Sequence, residues 1–441
     1  MLSDDNLEGG VIDQIQTMID HEAFQNGVAI MPDTHVGSGA VIGFTMPLGD
    51  RVVPNTIGVD IGCGMYAVNF GNVAADRDTL EWWDREIRDK VPMGFNVRDG
   101  SDYHLINDFP WKKAHEKVRN FEDQYGGMRS DVWRLEPEFA ADYFKDLCDR
   151  VGYDMTRAID SVGTLGGGNH FIELGHSEKT GLWAIIHSGS RGLGLHVAQH
   201  HQERAAQLRS AEKFDKSVLS EGHQEYANAE LKPHAEKIRK DFEGTSIGGV
   251  FDRISQARQE AVEAFDDDLA YLEGEEAHQY FVDMIFAQMY ASQSRKLMMS
   301  KVAEVIGATP RKEVESVHNF IDFEDLTIRK GATSAHSGEI AVVPFNMKDG
   351  TLLVEGKGNN DWNNSAPHGA GRVMSRTQAY DDLSVEDFKE KMSNVVSSSV
   401  SEETLDEAPG AYKSADLIGS AITPTAEVVD QIKPVLNLKA E

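Results

Sequence analysis

Short apolar runs along the chain break off at glycine, histidine or aspartate. "GVAIMPDTH" (27–35), "NTIGVDIGCG" (55–64), "NHFIEL" (169–174) and "LWAIIHSGSRG" (182–192) share this form. Each reads as a buried strand that delivers polar residues at its end, where loops carry function. From about Leu195 the texture becomes helical. "AHQYFVDMIFAQMYASQSRKLMMSKVAEVIG" carries an apolar stripe through Ala277, Phe281, Met284, Ala287 and Ala291, and closes at Gly307 ahead of Pro310. Its methionines and aromatic residues fit core packing better than a cofactor pocket. After Val317 the strand-and-loop texture returns, followed by the acidic "SEETLDEAPGAYKS" and the tail "IKPVLNLKAE". A length of 441 residues would suit roughly two or three domains, but no internal repeat or low-complexity linker divides the chain. The pattern predicts an α/β (α+β) fold: a single large domain over residues 1–441, with a mainly helical insertion at about 195–306.

Composition narrows the class. No run approaches the roughly 18 apolar residues of a membrane span. The start, "MLSDDNLEGG", lacks the basic and apolar regions of a signal peptide, so a cytoplasmic location is expected, with no membrane partner. The net charge of −30 opposes nucleic-acid binding at face value. A global sum does not forbid a cationic cleft, however, and an acidic shell also suits solubility in high salt. The two cysteines differ in setting. Cys148 lies in the helical "YFKDLCDR" and reads as a small core residue. Cys63 lies between glycines in "GVDIGCGM", beside Asp60, where a thiol is more often a metal ligand or nucleophile.

The chemistry-bearing residues cluster at these breaks. Asp33 and His35 lie in "MPDTHVGSGAVIG", Asn169 and His170 follow the glycines of "LGGGNHFIEL", and His187 precedes "SGSRGLG". His318 lies in "ESVHNF" and His368 in "SAPHGAGR", where almost nothing nearby could bury or pair it. Singly, each histidine reads as structural. Together, imidazoles, a carboxylate and a thiolate are the ligand set of a transition-metal site, and a thiolate can bridge two ions. Arg191, Arg329, Lys330, Arg372 and Arg376 stand beside small residues, a setting that suits phosphate contact. A Walker A pattern is absent, and so is the Lys-x-Asp-Gly pattern of lysine-based ligases.

As an ordered set, "DTHVGSG", "GVDIGCGM", "GGGNHFIE", "HSGSRG", "HNF", "RKGAT" and "HGAGR" resemble the RtcB family of RNA ligases, from about Ile30 to Lys439. The resemblance implies a single α/β architecture peculiar to that family. It implies joining of RNA 3′-phosphate or 2′,3′-cyclic phosphate ends to 5′-hydroxyl ends with GTP and two Mn2+ ions, in RNA repair, tRNA splicing or RNA healing. An archease-like activator is a partner it raises. Carried over residue by residue, Asp60, Cys63 and His170 would hold one manganese, and Cys63 would bridge to a second held by His187 and His318. Asn169 would contact the nucleotide phosphate, while Phe171 and Glu173 would help hold guanine. Gly369, Ala370 and Gly371 would give the nucleotide room, and Tyr412 and Lys439 would close its pocket. His368 would become guanylylated, with Asp33 and His35 in support. Manganese comes from the resemblance alone, because the ligand chemistry suits zinc or iron as well.

The chain departs from the family where "PFNMKDG" (344–350) replaces a Pro-Gly-Ser-Met-Gly stretch and puts Asn346 in the place of a serine. Two other classes compete. A metal-dependent phosphoesterase would use "DTH", "VDIG" and "GNHF", but it expects an acid where Phe171 stands and has no use for Cys63 or "HGAGR". A non-catalytic RNA-binding protein would have no reason to keep every ligand.

Overall fold

The computed structural model describes residues 7–100, 104–126, 140–213, 231, 233–241, 246–263 and 268–440. In chain order its first strands are β1 (Ala29–His35), β2 (Ile42–Pro47), β3 (Arg51–Val52), β4 (Gly64–Gly71), β5 (Phe171–Ser177), β6 (Gly181–Ser188) and β7 (Leu272–Glu273). The later ones are β8 (Lys312–Val317), β9 (Asn319–Asp322), β10 (Thr327–Lys330), β11 (Ala332–Ser334), β12 (Ile340–Pro344), β13 (Thr351–Gly356), β14 (Ser365–Pro367) and β15 (Ala426–Leu438). A seven-stranded sheet runs β12-β13-β15-β5-β6-β4-β8, and a four-stranded sheet runs β1-β2-β10-β9. The pairings within both are antiparallel. The mixed α/β class read from the pattern is the class observed.

Strands β4 and β6 are buried at every position, because apolar layers cover both faces of the large sheet. Successive side chains point to opposite faces. Tyr66, Val68 and Phe70 therefore join Ile172, Leu174 and Ile186 on one side, against Leu80, Trp83 and Ile87 of the helix Arg77–Lys90 and Met298, Met299 and Val302 of the long helix. Met65 and Ala67 join Trp183, Ile185, Val314 and Leu353 on the other. Helix Arg77–Lys90 starts at Asp76, whose side chain accepts from the Thr79 N–H at 2.9 Å, a cap worth about 1 kcal/mol.

The segment read as a helical insertion holds the helices Arg191–Lys213, Ala235–Asp241, Ile247–Glu263 and Gly274–Ile306. The last ends at Gly307, whose φ of 70° is the left-handed conformation that terminates helices. Its N-terminal half packs into the core beneath the four-stranded sheet and its C-terminal half onto the large sheet, so it ties the two sheets together. One strand reading fails. Residues 55–64 are turn and 3-10 helix up to Gly64, because Pro54 opens a 3-10 turn and Gly58 and Gly62 take positive φ. "NHFIEL" also differs in register: the strand begins at Phe171, after its polar pair. Among the described residues no helix is long and apolar enough to cross a membrane.

Candidate metal centre and adjoining cavity

The irregular turn at 57–63 is what brings Asp60 and Cys63 to the edge of the large sheet. Immediately afterwards β4 pairs with β6 and β8, placing Met65 opposite His187 and Gly64 opposite Val317. His170 stands just before β5, and the His318 N–H donates to the Cys63 carbonyl at 2.9 Å. Strands β5, β6 and β8, with the turn that leads into the intervening β4, thus deliver every ligand candidate to one spot. Cys63 Sγ lies 3.3 Å from His187 Nε2 and 3.6 Å from His170 Nε2. His187 Nε2 lies 3.1 Å from His318 Nε2, and His170 Nε2 lies 2.9 Å from Asp60 Oδ2. Two overlapping groups result, Asp60–Cys63–His170 and Cys63–His187–His318, each with its ligand atoms within 4.8 Å of one another.

The protonation pattern fits a cation. His170 Nδ1 donates to the Leu165 carbonyl at 2.9 Å and His187 Nδ1 to the Asn169 carbonyl at 3.0 Å. In the neutral rings, then, Nε2 offers a lone pair to the cluster. Burial and the neighbouring histidines push His187 and His318 well below the ordinary imidazole range. His187 Nε2 and His318 Nε2, 3.1 Å apart, can share one proton or jointly face a cation. Burial and the Asp60 carboxylate push the Cys63 thiol up, so a thiolate there needs a cation. Burial opposes ionisation of Asp60, but its hydrogen bond to His170 prevails and holds it at about 2. A metal would take the place of that shared proton.

Two supports were not visible in the sequence. Arg295 of the long helix, fully buried, donates to the Gly62 carbonyl at 2.7 Å and the Ser188 carbonyl at 2.8 Å, and pairs with Glu315 at 2.8 Å. It therefore pins the residues next to Cys63 and His187. Gly189 is required as glycine, because a Cβ there would collide with the Asp60 carboxylate.

His368 follows β14, and its ring centroid lies 4.9 Å from that of His318. Buried Asp33 organises the loop: its Oδ2 accepts from the backbone N–H groups of His368 (3.0 Å) and Gly369 (3.1 Å) and lies 2.6 Å from His368 Nδ1. Gly371, with φ 68°, lets the loop pass over the Asp33 backbone, which a Cβ would strike. His35 Nδ1 contacts the Asp33 carbonyl at 3.1 Å, and burial lowers its basicity.

From His368 and His187 a cavity of about 480 Å3 extends between Asn169, Phe171 and Glu173 on one side and Gly369, Ala370, Gly371, Arg372 and Arg376 on another. At its far end a carboxylate absent from the sequence reading, Glu407, gathers four groups. Tyr412 donates to it at 2.6 Å, Lys439 pairs with it at 2.9 Å, and Arg376 and Arg372 approach to 3.5 and 3.6 Å. Burial opposes its ionisation, but Lys439 and Tyr412 hold it below the ordinary range. Its only advance sign was its place five residues before Tyr412 in an acidic run. Glu173, in contrast, is pushed by burial up to about 8, although Thr351 and Asn437 donate to it.

Three of the cations expected at phosphate are engaged by protein groups in the structure: Arg191, Arg329 and Lys330. Arg329 is fully buried and engaged by Asp322, Asp325, Ser365 and the Asn363 carbonyl. Lys330 is buried on the carbonyls of Ser38 and Asn55, and burial lowers it to about 7. Both faces of β10 are covered, so its cations brace loops and meet no cavity. Arg191 donates to Thr164 at 3.0 Å and to the Gly94 carbonyl at 2.6 Å, outside the cavity lining. In "PFNMKDG", Asn346 caps its own turn by accepting from Lys348 and Asp349 N–H, while Phe345, Asn346 and Met347 line the cavity.

A family model described as tRNA-splicing ligase RtcB matches residues 14–440. The RNA-splicing ligase RtcB of Escherichia coli strain K12 is 29% identical over 437 residues, covering 93% of this chain and 90% of the relative. The tRNA-splicing ligase RtcB of Nanoarchaeum equitans is 27% identical over 472 residues, covering 93% and 88%, and that of Methanococcus maripaludis is 23% identical over 461, covering 93% and 86%. With a single family spanning nearly its whole length, at identities that mark a divergent branch, the chain belongs to the RtcB family of RNA ligases.

Proposed function

We propose that this ligase joins an RNA 3′-phosphate or 2′,3′-cyclic phosphate end to a 5′-hydroxyl end in the cytoplasm, using GTP and two manganese ions, with His368 as the guanylyl carrier. The observation that carries the reading is the Asp33–His368 pair. A buried carboxylate 2.6 Å from Nδ1 would favour the ring proton on that nitrogen by its charge, although the contact is not aligned as a hydrogen bond, and would leave Nε2 as the nucleophile. The residues of the two overlapping groups would hold the ions, Asp60, Cys63 and His170 one and Cys63, His187 and His318 the other. As Lewis acids, the ions would neutralise phosphate charge and acidify a hydroxyl.

His368 Nε2 attacks the α-phosphorus of GTP, the bond to the β-phosphate oxygen breaks and pyrophosphate leaves. A 2′,3′-cyclic end is first opened by water, which breaks the P–O2′ bond to give a 3′-phosphate and a 2′-hydroxyl. An oxygen of the RNA 3′-phosphate then attacks the phosphorus bound to His368. The N–P bond breaks, His368 is restored and an RNA–GMP anhydride forms. This step is needed because a phosphate monoester has no usable leaving group. The 5′-hydroxyl finally attacks the RNA phosphorus and expels GMP. Arg372 and Arg376 face the cavity and suit phosphate charge, while Glu173 accepts from the guanine edge. Two free cysteines are consistent with a reducing cytoplasm.

The test is mass spectrometry after incubation with GTP and manganese. Wild type is expected to gain one acid-labile GMP. His368→Ala is expected to gain none and to fail on 3′-phosphate ends, yet still to join RNA pre-activated with GMP. An adduct on His368→Ala would move the role to another residue, and metal-dependent release of phosphate without joining would favour the phosphoesterase reading.

A further inference from the structure

One buried acceptor in the cavity has no task in the reaction above. Asn437, near the end of β15, is 1% exposed, lines the cavity and stands directly across from Glu173 in the β15–β5 ladder. Its backbone N–H donates to the Val396 carbonyl at 3.0 Å, and its Nδ2 donates to Glu173 Oε2 at 3.1 Å. Its Oδ1 is buried and has no hydrogen-bond partner. Once Glu173 is ionised, as acceptance of guanine hydrogens requires, it only accepts, so Nδ2 faces it and Oδ1 is the end left over. Buried acceptors without partners are rare, and at a cavity wall a ligand donor can supply the missing partner. The other Glu173 oxygen accepts from Thr351 Oγ1 at 3.1 Å, so the pair presents a fixed row of acceptors.

We propose that Asn437 Oδ1 accepts a hydrogen from the exocyclic 2-amino group of guanine, making Asn437 a specificity-determining residue for the nucleotide. The proposal rests on the reading of this cavity as the GTP pocket. Guanine offers three hydrogens along this edge, one on N1 and two on N2. Glu173 can accept the N1 hydrogen and the nearer N2 hydrogen, which leaves the N2 hydrogen on the N3 side for a neighbouring acceptor. The two residues then divide the work of selection. Adenine presents an acceptor at N1 and is turned away by Glu173 alone. Hypoxanthine keeps the N1 hydrogen but has no amino group, so only an acceptor dedicated to N2 distinguishes it fully from guanine.

Adduct formation with GTP, ITP and N2-methyl-GTP tests this. Wild type is expected to use GTP at least about tenfold more efficiently than ITP or N2-methyl-GTP. In Asn437→Ala the preference over ITP is expected to shrink about tenfold, through a selective loss with GTP. N2-methyl-GTP is expected to gain on GTP there, since the truncated side chain leaves room for the methyl group. Wild type with the three nucleotides needs no variant to fold, and equal use of GTP and N2-methyl-GTP would overturn the proposal. So would a parallel loss with GTP and ITP in Asn437→Ala, which would mean that Asn437 only props Glu173. Absence of an adduct with every nucleotide would bring down the GTP reading itself, a result distinct from an adduct formed without discrimination.

Discussion

The two ends of the cavity are built on opposite electrostatic plans. At the candidate metal end, imidazole nitrogens and a thiol sulfur face one another 3.1–3.6 Å apart, with a carboxylate beside them, a donor set that suits a cation. At the far end the charges are already matched, with Glu407 holding Tyr412 and Lys439 and drawing in two arginines. The first end brings together donor atoms that suit a cation. The second is charge-paired within the protein, and Glu407 fixes the positions of the cations around it. Residues that each carry a modest sequence signal therefore do different physical work: candidate ligands are gathered with their donor atoms facing one another, whereas pocket residues are held against a counter-charge.

The largest effect that would break this contrast lies at the metal end. Cys63→Ser swaps a strong thiolate donor for a hydroxyl that hardly ionises. Loss of at least one metal equivalent by elemental analysis and joining below detection are expected, with the fold retained; two full equivalents bound would remove Cys63 from the bridge. At the other end, Glu407→Gln leaves buried Lys439 without its carboxylate, and removing one partner of a buried pair costs about 3 kcal/mol. A thermal melt should show this loss, the KM for GTP should rise roughly tenfold or more, and metal content should stay at its wild-type value.

A smaller effect is the pH dependence of nucleotide use. Glu173, pushed by burial up to about 8, would have to ionise to accept two guanine hydrogens in the proposed GTP pocket. Affinity for GTP should therefore improve as pH rises, by at most about tenfold per unit, and level off above about pH 8. Glu173→Gln should flatten that slope. The same shift makes the empty protein lose folding stability as pH rises from the ordinary carboxylate range toward 8, because the folded form retains the proton longer. The smallest effect belongs to the other cysteine. Cys148 is fully buried in the helix Ala140–Arg150, and Cys148→Ala should cost about 1 kcal/mol of stability in a denaturant titration and leave metal content at the wild-type value.

How legible each end was in the sequence follows from the range of its contacts. Cys63, His170 and His187 each sit in a short glycine-flanked stretch at a strand boundary, and His318 at the boundary of two strands, so composition within a few residues was enough to mark them. The roles of Asp33 and Asn437 depend on partners 335 and 264 residues away, and no local pattern encodes such a meeting. Arg329 and Lys330 misled for a related reason. Glycine, alanine and threonine beside a cation resemble a phosphate loop, but they occur here because β10 and β11 are covered on both faces. Residues 55–64 imitated a strand by their apolar spacing, and Pro54 with two positive-φ glycines overrode it.

The position of β15 carries a consequence for biosynthesis. This strand lies inside the large sheet, between β13 and β5, and it brings Asn437 and Lys439 to the cavity. Translation supplies the metal-binding strands β4, β5, β6 and β8 well before β15, and chains fold from the N-terminal side as they emerge. A growing polypeptide can therefore gather its ligand set while the sheet still has a gap where the last strand belongs. A prematurely terminated product would hold the candidate ligand set but lack the cavity wall that β15 supplies.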